Sequence, residues 1–110
     1  RGVRVTMIDA YGPGNSRASS GDETRGIRSS YGDRTAGDLW TQWARSAIAR
    51  WRDLDAEHGP AFGTKFFFAT GDVIFRATKE PFITRTLEHW TAHNVPHEVL
   101  TGDEARARWP

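Results

Sequence analysis

The 110-residue sequence contains no cysteine and no long apolar run, and its formal net charge is only +1. Without cysteine, the chain has no disulfide framework, no thiol nucleophile and no cysteine-ligated zinc site. No apolar run approaches the ~20 residues that a membrane-spanning helix requires. The 15 basic residues are intermixed with 14 acidic ones, so there is no electrostatic footprint for nucleic acid or an anionic membrane. We therefore expect neither as a partner.

What remains is the composition of a soluble globular protein, 37% hydrophobic and 26% charged. We expect the chain to be a piece of a longer protein. It does not begin with methionine, and Arg1 and Gly2 lead almost at once into an apolar run at residues 3–10. At the other end, residues 108–110 stop where a helix would pass into the next segment.

A polar segment of small residues, residues 19–32, lies between this apolar run and a long amphipathic pattern. Its small residues allow the backbone to approach a ligand closely, and Arg25 and Arg28 offer planar, bidentate recognition of phosphate or carboxylate. The residues alone fit two interpretations. One is an anion-binding site, and the other is a solvated surface loop whose charges bind nothing specific.

Residues 3–10 are rich in β-branched and apolar side chains and are followed by a Gly-Pro-Gly loop, which predicts a buried parallel strand. Asp9 stands at the carboxyl end of this run. In dinucleotide-binding α/β folds, the acid that ends the second strand accepts hydrogen bonds from ribose hydroxyls. A turn-forming aspartate before a loop fits Asp9 equally well.

Two longer helices are predicted further on. Thr35 and Asp38 fit a capping box, and apolar residues then recur at helical spacing until Gly59-Pro60 ends the pattern. We expect the three tryptophans of this stripe to pack in the core rather than form a stacking platform: Trp40, Trp43 and Trp51. Pro81 opens the second helix, which ends near Asn94.

The remaining elements are short. Residues 65–70 and 73–76, joined by Gly71-Asp72, predict an antiparallel hairpin with glycine at the first turn position. Residues 95–100 predict a further strand. Thr101 and Glu104 form a capping box that opens a last short helix.

Other candidates for chemistry have simpler explanations. His89 and His93 lie four residues apart on the second predicted helix, with His97 beyond, but no acidic ligand motif accompanies them and no metal site is predicted. The serines lack a Gly-x-Ser-x-Gly context, so a nucleophilic serine is not expected. Asp103 and Glu104 are adjacent at a helix start, where a role in capping explains them.

The order of the motifs resembles the D-amino-acid-oxidase-like flavoprotein family. Residues 1–10, a Gly/Pro/Asn loop and the motif Thr-Arg-x-x-Arg-x-x-Tyr-Gly at residues 24–32 carry the likeness, and residues 68–75 and 100–104 agree in the same order. Within the family, the sequence is most similar to the branch of monomeric sarcosine oxidase and N-methyltryptophan oxidase.

This resemblance implies an α/β fold in two parts. Residues 1–37 would be part of a Rossmann-like FAD-binding domain, comprising its second strand and the following loop. Residues 38–110 would form a helix, a hairpin, a helix, a strand and a short helix that lead into a mixed-sheet substrate domain. The glycine-rich loop of the FAD-binding domain is expected before Arg1.

The resemblance also assigns site residues. Arg25 would lie over the isoalloxazine ring, and Arg28 would pair with the substrate carboxylate, with Thr24 beside them in the catalytic set. The cofactor-binding residues would include Arg25 and five others: Asp9, Ala10, Ser19, Ser20 and Gly26. The extra Glu23, relative to a Gly-Asp-Thr-Arg motif, displaces the two serines by one residue.

The implied activity is FAD-dependent oxidation of the C–N bond of a secondary or N-methylated amino acid, with oxygen as the second substrate and hydrogen peroxide as product. Alternatives are a flavin dehydrogenase or a glycine or D-amino-acid oxidase of the same family. An alternative of another class is a non-catalytic interaction domain. We expect the chain alone to be inactive, and the full protein to be cytoplasmic, or peroxisomal in a eukaryote.

Overall fold

The computed structural model describes residues 2–110. Arg1, with which the first predicted domain begins, lies outside this range. The described residues form three helices: α1 (Gly37–Phe62), α2 (Pro81–Ala92) and α3 (Gly102–Arg108). Helices α1 and α2 pack against each other. None of the three is both long and apolar enough to cross a membrane, as judged over residues 2–110.

Helix α1 forms where the apolar periodicity predicts it, but both of its predicted ends are wrong. Its N-cap is Ala36 and no side chain caps it, so the capping box of Thr35 and Asp38 does not form. Pro60 lies inside the last turn, and the helix continues to Phe62. It ends at Gly63, whose φ of 61° is the left-handed conformation that glycine adopts readily.

The expected burial of the tryptophan stripe is also wrong for the described residues. Trp40, Trp43 and Trp51 are 44%, 55% and 41% exposed, and Ala44 is the sole buried hydrophobic residue of residues 2–110. Helix α2 has only 12 residues and is too short to cover the apolar face of α1, which has 26. The apolar face of α1 therefore remains largely open.

None of the predicted strands forms within the described part of the chain. At residues 3–10, Met7 and Ile8 are about 90% exposed. Gly71 has a φ of 77°, as its turn requires, yet residues 65–70 and 73–76 do not pair, and residues 95–100 are also unpaired. A strand is stable only when a neighbour completes its hydrogen bonds, and residues 2–110 supply no such neighbour.

The predictions for α2 and α3 are confirmed. Pro81 occupies the first turn of α2, and Asn94 follows its end with a φ of 51°. In α3 the capping box is complete. The Glu104 N–H donates to Thr101 Oγ1 at 3.3 Å, and the Thr101 N–H donates to Glu104 Oε2 at 2.7 Å. The Thr101 N–H, and secondly the Thr101 hydroxyl at 2.8 Å, donate to the Glu104 carboxylate and hold the pKa of Glu104 below its ordinary value.

A side-chain hydrogen bond joins the beginning of α1 to the end of α2. His93 Nε2 and Asp38 Oδ1 are in direct contact, and Gln42 Nε2 donates to the second carboxylate oxygen at 2.9 Å. The hydrogen bond to His93, and secondly that from Gln42, lowers the pKa of Asp38. The contact thus links the two helices at this end.

We predict that replacing His93 with Ala, which removes the hydrogen bond to the carboxylate, raises the pKa of Asp38 towards its ordinary value of 3.8. A carboxyl group with a lowered pKa contributes stability above its unfolded-state pKa and loses it as the pH falls through its folded-state pKa. NMR titration of the Asp38 carboxyl carbon measures the change. Gln42→Ala is the comparison and should give a smaller rise; an unchanged midpoint in His93→Ala would contradict the hydrogen bond between His93 and Asp38.

We further predict that Thr101→Ala destabilises the first turn of α3 by about 1 kcal/mol, the usual cost of losing a helix N-cap. The readout is amide hydrogen exchange at Glu104 and Ala105, which should become faster. Thr101→Ser retains the capping hydroxyl and is the matched control. Equal exchange in the alanine and serine variants would show that the cap contributes nothing.

Candidate functional site

The last part of the polar segment, residues 29–32, is held against α1 and α2. Ser30 is only 2% exposed and Gly32 is buried, although both belong to a polar loop. The Gly32 N–H donates to Thr86 Oγ1 at 3.1 Å, and Arg85 Nε donates to the Gly32 carbonyl at 2.7 Å. Both partners come from α2, so the loop backbone is bonded to that helix on each side of Gly32.

The carbonyl of Ser29 is bonded to both helices. Thr41 Oγ1 of α1 and Trp90 Nε1 of α2 each lie 3.1 Å from it. The Thr41 hydroxyl is also 2.9 Å from the Gly37 carbonyl within its own helix. Thr41 and Thr86 are 0% and 2% exposed. We call residues 29–32 together with these three partners, Thr41, Thr86 and Trp90, the loop clamp.

Glycine is required at two positions of this region because the chains approach so closely. A Cβ at Gly32 would overlap the Phe82 carbonyl oxygen and lie 2.8 Å from the Thr86 nitrogen. A Cβ at Gly37 would overlap the Tyr31 carbonyl oxygen. A side chain at either position would collide with the neighbouring backbone, so both glycines are sites of close backbone packing.

Arg28 lies directly before the loop clamp. Its guanidinium carbon is 5.3 Å from the centre of the Tyr31 ring, a cation–π contact, and Tyr31 in turn packs on Trp40 with ring centres 6.0 Å apart. Arg28 is exposed, and no carboxylate of residues 2–110 forms an ion pair with it. Its guanidinium therefore remains open to an external anion.

Arg25 has a different environment. Its Nη1 donates to Asp22 Oδ2 at 3.2 Å, and its Nη2 donates to the Ser19 carbonyl at 2.8 Å. The side chain is 45% exposed, so these bonds leave part of it accessible. Arg25 thus folds back on residues 19–22, whereas Arg28 contacts the ring of Tyr31.

Asn15 organises the preceding turn, a role that sequence reasoning missed. Its Oδ1 accepts from the backbone N–H groups of Arg17 and Ala18 at 3.0 and 3.2 Å, and its Nδ2 donates to the Gly12 carbonyl at 2.8 Å. Asparagine after a Gly-Pro-Gly run is a signal for such side-chain turns. The same fold brings Gly21 against the Asn15 carbonyl.

Asp9 forms a local turn, in which its Oδ1 accepts from the Tyr11 N–H at 2.8 Å. This geometry is that of the turn-forming interpretation, and it leaves the other carboxylate oxygen available as an acceptor. The other predicted site residues are exposed: Ala10, Ser19, Ser20, Thr24 and Gly26.

His89 and His93, the histidine pair of the second predicted helix, have different surroundings. Nδ1 of His89 is buried without a hydrogen-bond partner, and His93 is engaged by Asp38. No group of three or more potential metal ligands occurs within residues 2–110.

Sequence reasoning also missed Thr41 and Thr86 as partners of the loop. The available signal was a small hydroxyl residue on an otherwise apolar helix face.

Comparison of the sequence with known proteins identifies its family. A family model described as DAO, FAD dependent oxidoreductase, matches residues 1–110. Monomeric sarcosine oxidase from an Arthrobacter species is 31% identical over 111 residues, which cover 100% of this chain and 27% of that protein. The protein of the same name from a Bacillus species is also 31% identical, over the same shares.

N-methyl-L-tryptophan oxidase of Yersinia pestis is 28% identical over 109 residues, which cover 99% of this chain and 28% of that protein. The chain thus spans about a quarter of the length of the curated relatives it matches. No solved structure matches it. Because the family model matches the whole sequence, the chain belongs to the family of FAD-dependent oxidoreductases.

Proposed function

We propose that the protein to which this chain belongs oxidises the C–N bond of a secondary or N-methylated amino acid and releases hydrogen peroxide. The observation that carries the proposal is Arg28, an accessible guanidinium on a loop whose backbone is fixed immediately after it. The names of the relatives support the substrate class, since they are a sarcosine oxidase and an N-methyl-L-tryptophan oxidase. Both named substrates are N-methylated amino acids.

In this proposal Arg28 binds the carboxylate of the amino acid. A guanidinium offers two parallel N–H donors that match a carboxylate, so the pair fixes orientation as well as affinity. The cation–π contact with Tyr31 restricts the directions that the side chain takes. With the carboxylate held, the C–N bond of the substrate occupies one defined place.

The polar groups of residues 9–26 fit the cofactor that the family uses. Asp9 has a free carboxylate oxygen for a ribose hydroxyl, and the exposed residues Ala10, Ser19, Ser20 and Gly26 are accessible to the rest of the cofactor. When bound, FAD accepts the hydride equivalent taken from the substrate. We propose that these residues hold it.

Arg25 is proposed to lie next to the flavin ring, with Thr24 beside it, where a fixed positive charge favours negative charge on the ring. Its bonds to Asp22 and to the Ser19 carbonyl support a fixed position, because they tie the side chain to the loop backbone. The guanidinium keeps part of its surface free for a ligand. Arg25 and Arg28 thus have separate tasks on one loop.

The family implies a Rossmann-like FAD-binding fold, and we propose that residues 1–37 belong to that domain and residues 38–110 lead into the substrate domain. The break falls at Gly37, where α1 begins. A chain about a quarter as long as its relatives is proposed to supply only part of the site, and so to be inactive alone. Oxygen is the proposed electron acceptor.

A second candidate, an interaction domain without catalysis, is favoured by one observation. Trp40, Trp43 and Trp51 are each more than two-fifths exposed on α1, and exposed tryptophans are common in protein interfaces. A flavin dehydrogenase or a glycine or D-amino-acid oxidase remains the alternative within the family. The visible spectrum, the substrate that is oxidised and the product that is released distinguish these possibilities.

We predict that the holoprotein has the visible absorption of a flavin and is bleached anaerobically by an N-methylated amino acid. Admitting oxygen should restore the colour and yield hydrogen peroxide, measured by a coupled peroxidase assay. Bleaching by glycine or a D-amino acid alone would favour the alternative substrates, and slow recovery in oxygen would favour a dehydrogenase. A colourless protein would contradict the proposed function.

We also predict that Arg28→Lys raises the KM for carboxylate-bearing substrates at least roughly tenfold, because a charge-assisted bidentate bond contributes about 1.5–3 kcal/mol. The KM for an amine without a carboxylate should change little. Arg45→Lys, the same change on an exposed position of α1, is the matched control. An equal rise for both kinds of substrate would remove the carboxylate role of Arg28.

A further inference from the structure

We propose that Thr86, Thr41 and Trp90 are positioning residues that set the place of Arg28 and so determine how well the protein selects substrates with a carboxylate. The inference rests on the proposed function, since it assigns a role relative to the carboxylate bound by Arg28. None of the three belongs to the motif at residues 24–32. They act on it from α1 and α2.

The first support is the place of the hydrogen bonds. Ser29 follows Arg28 in the chain, and its carbonyl is bonded to Thr41 on one helix and to Trp90 on the other. Three residues further on, the Gly32 N–H is bonded to Thr86. The backbone after Arg28 is thus held at two points, and the Tyr31 ring under the guanidinium lies between them.

The second support is burial. Thr41 is fully buried and Thr86 and Ser30 are 2% exposed, so water does not replace a lost bond at little cost. A buried backbone donor without a partner is costly, and the loop moves to regain one. A displacement of about 1 Å is enough to weaken a directional site severely, so a change at Thr86 is transmitted to Arg28.

The third support is that the loop has little other freedom. Gly32 is so close to the Phe82 carbonyl that a Cβ does not fit, and Gly37 is equally close to the Tyr31 carbonyl. These close contacts therefore restrict how the loop is able to shift relative to the helices. A binding group on a flexible loop gains precision when its backbone is locked to rigid elements in this way.

The kinetic test uses the holoprotein with Thr86→Val, which removes the hydroxyl but nearly preserves the shape. We expect the KM for a carboxylate-bearing substrate to rise roughly fivefold to tenfold, equal to about 1–1.4 kcal/mol, with a smaller change in kcat. The KM for an amine without a carboxylate should stay within about twofold, or roughly 0.4 kcal/mol. Trp90→Phe, which keeps the ring and removes the N–H, should show the same selective rise.

Two matched variants control for a general loss of structure. Thr84→Val makes the same chemical change at an exposed position of the same helix and should leave the ratio of the two KM values as in the parent. Thr86→Ser retains the hydroxyl and should restore most of the selectivity. If Thr86→Ser behaves like Thr86→Val, or Thr84→Val has the same effect, the positioning role is overturned.

A second measurement does not depend on activity. The Gly32 amide should exchange slowly with solvent in the parent and in Thr86→Ser, and faster in Thr86→Val. Fast exchange in the parent would overturn the clamp. If Thr86→Val makes the Gly32 amide exchange fast but leaves the KM values unchanged, the positioning role is overturned. The effect of Arg28→Lys on the two KM values then still tests the proposed function.

Failure of the proposed function has its own signature. In that case Arg28→Lys changes the two KM values equally, or the protein has no flavin, whatever the exchange of Gly32 shows. The role of the three residues in carboxylate selection is then overturned as well. A selective effect of Arg28→Lys that Thr86→Val and Trp90→Phe both reproduce in milder form supports the inference.

Discussion

The arrangement of this chain depends on one set of interactions, the hydrogen bonds between a loop backbone and buried polar side chains of α1 and α2. Ser29 and Gly32 are bonded to residues 12, 54 and 61 positions away along the chain. Ala44 is the one buried hydrophobic residue of the described chain, so apolar burial alone specifies little of the packing. Directional bonds determine how the loop sits on the helices.

The helices were predictable because their signals are local. Pro81, Asn94 and the capping box at Thr101 mark helix ends within a few residues of sequence. The errors on α1 are local as well. Capping depends on the backbone angle at one residue, and that residue is Ala36 rather than Thr35. Pro60 removes one helical hydrogen bond but did not stop the last turn.

The strands and the tryptophan burial were not predictable from these residues, because both need partners that a local pattern does not provide. An apolar run such as residues 3–10 indicates that a sequence is able to form a strand, whereas pairing requires a neighbour. At the site, the spacing of Arg25 and Arg28 identified the loop. Its long-range bonds to Thr41 and Thr86 join distant parts of the sequence, and the link to flavin came from family likeness rather than from local chemistry.

The exposed tryptophans of α1 also make the intrinsic fluorescence of the chain sensitive to their surroundings. Indole emission shifts to shorter wavelength when water is removed from the ring, and Trp40, Trp43 and Trp51 are all partly hydrated. Trp90 is instead bonded to the Ser29 carbonyl. Burial of these rings would therefore change the intrinsic fluorescence of the chain without any label.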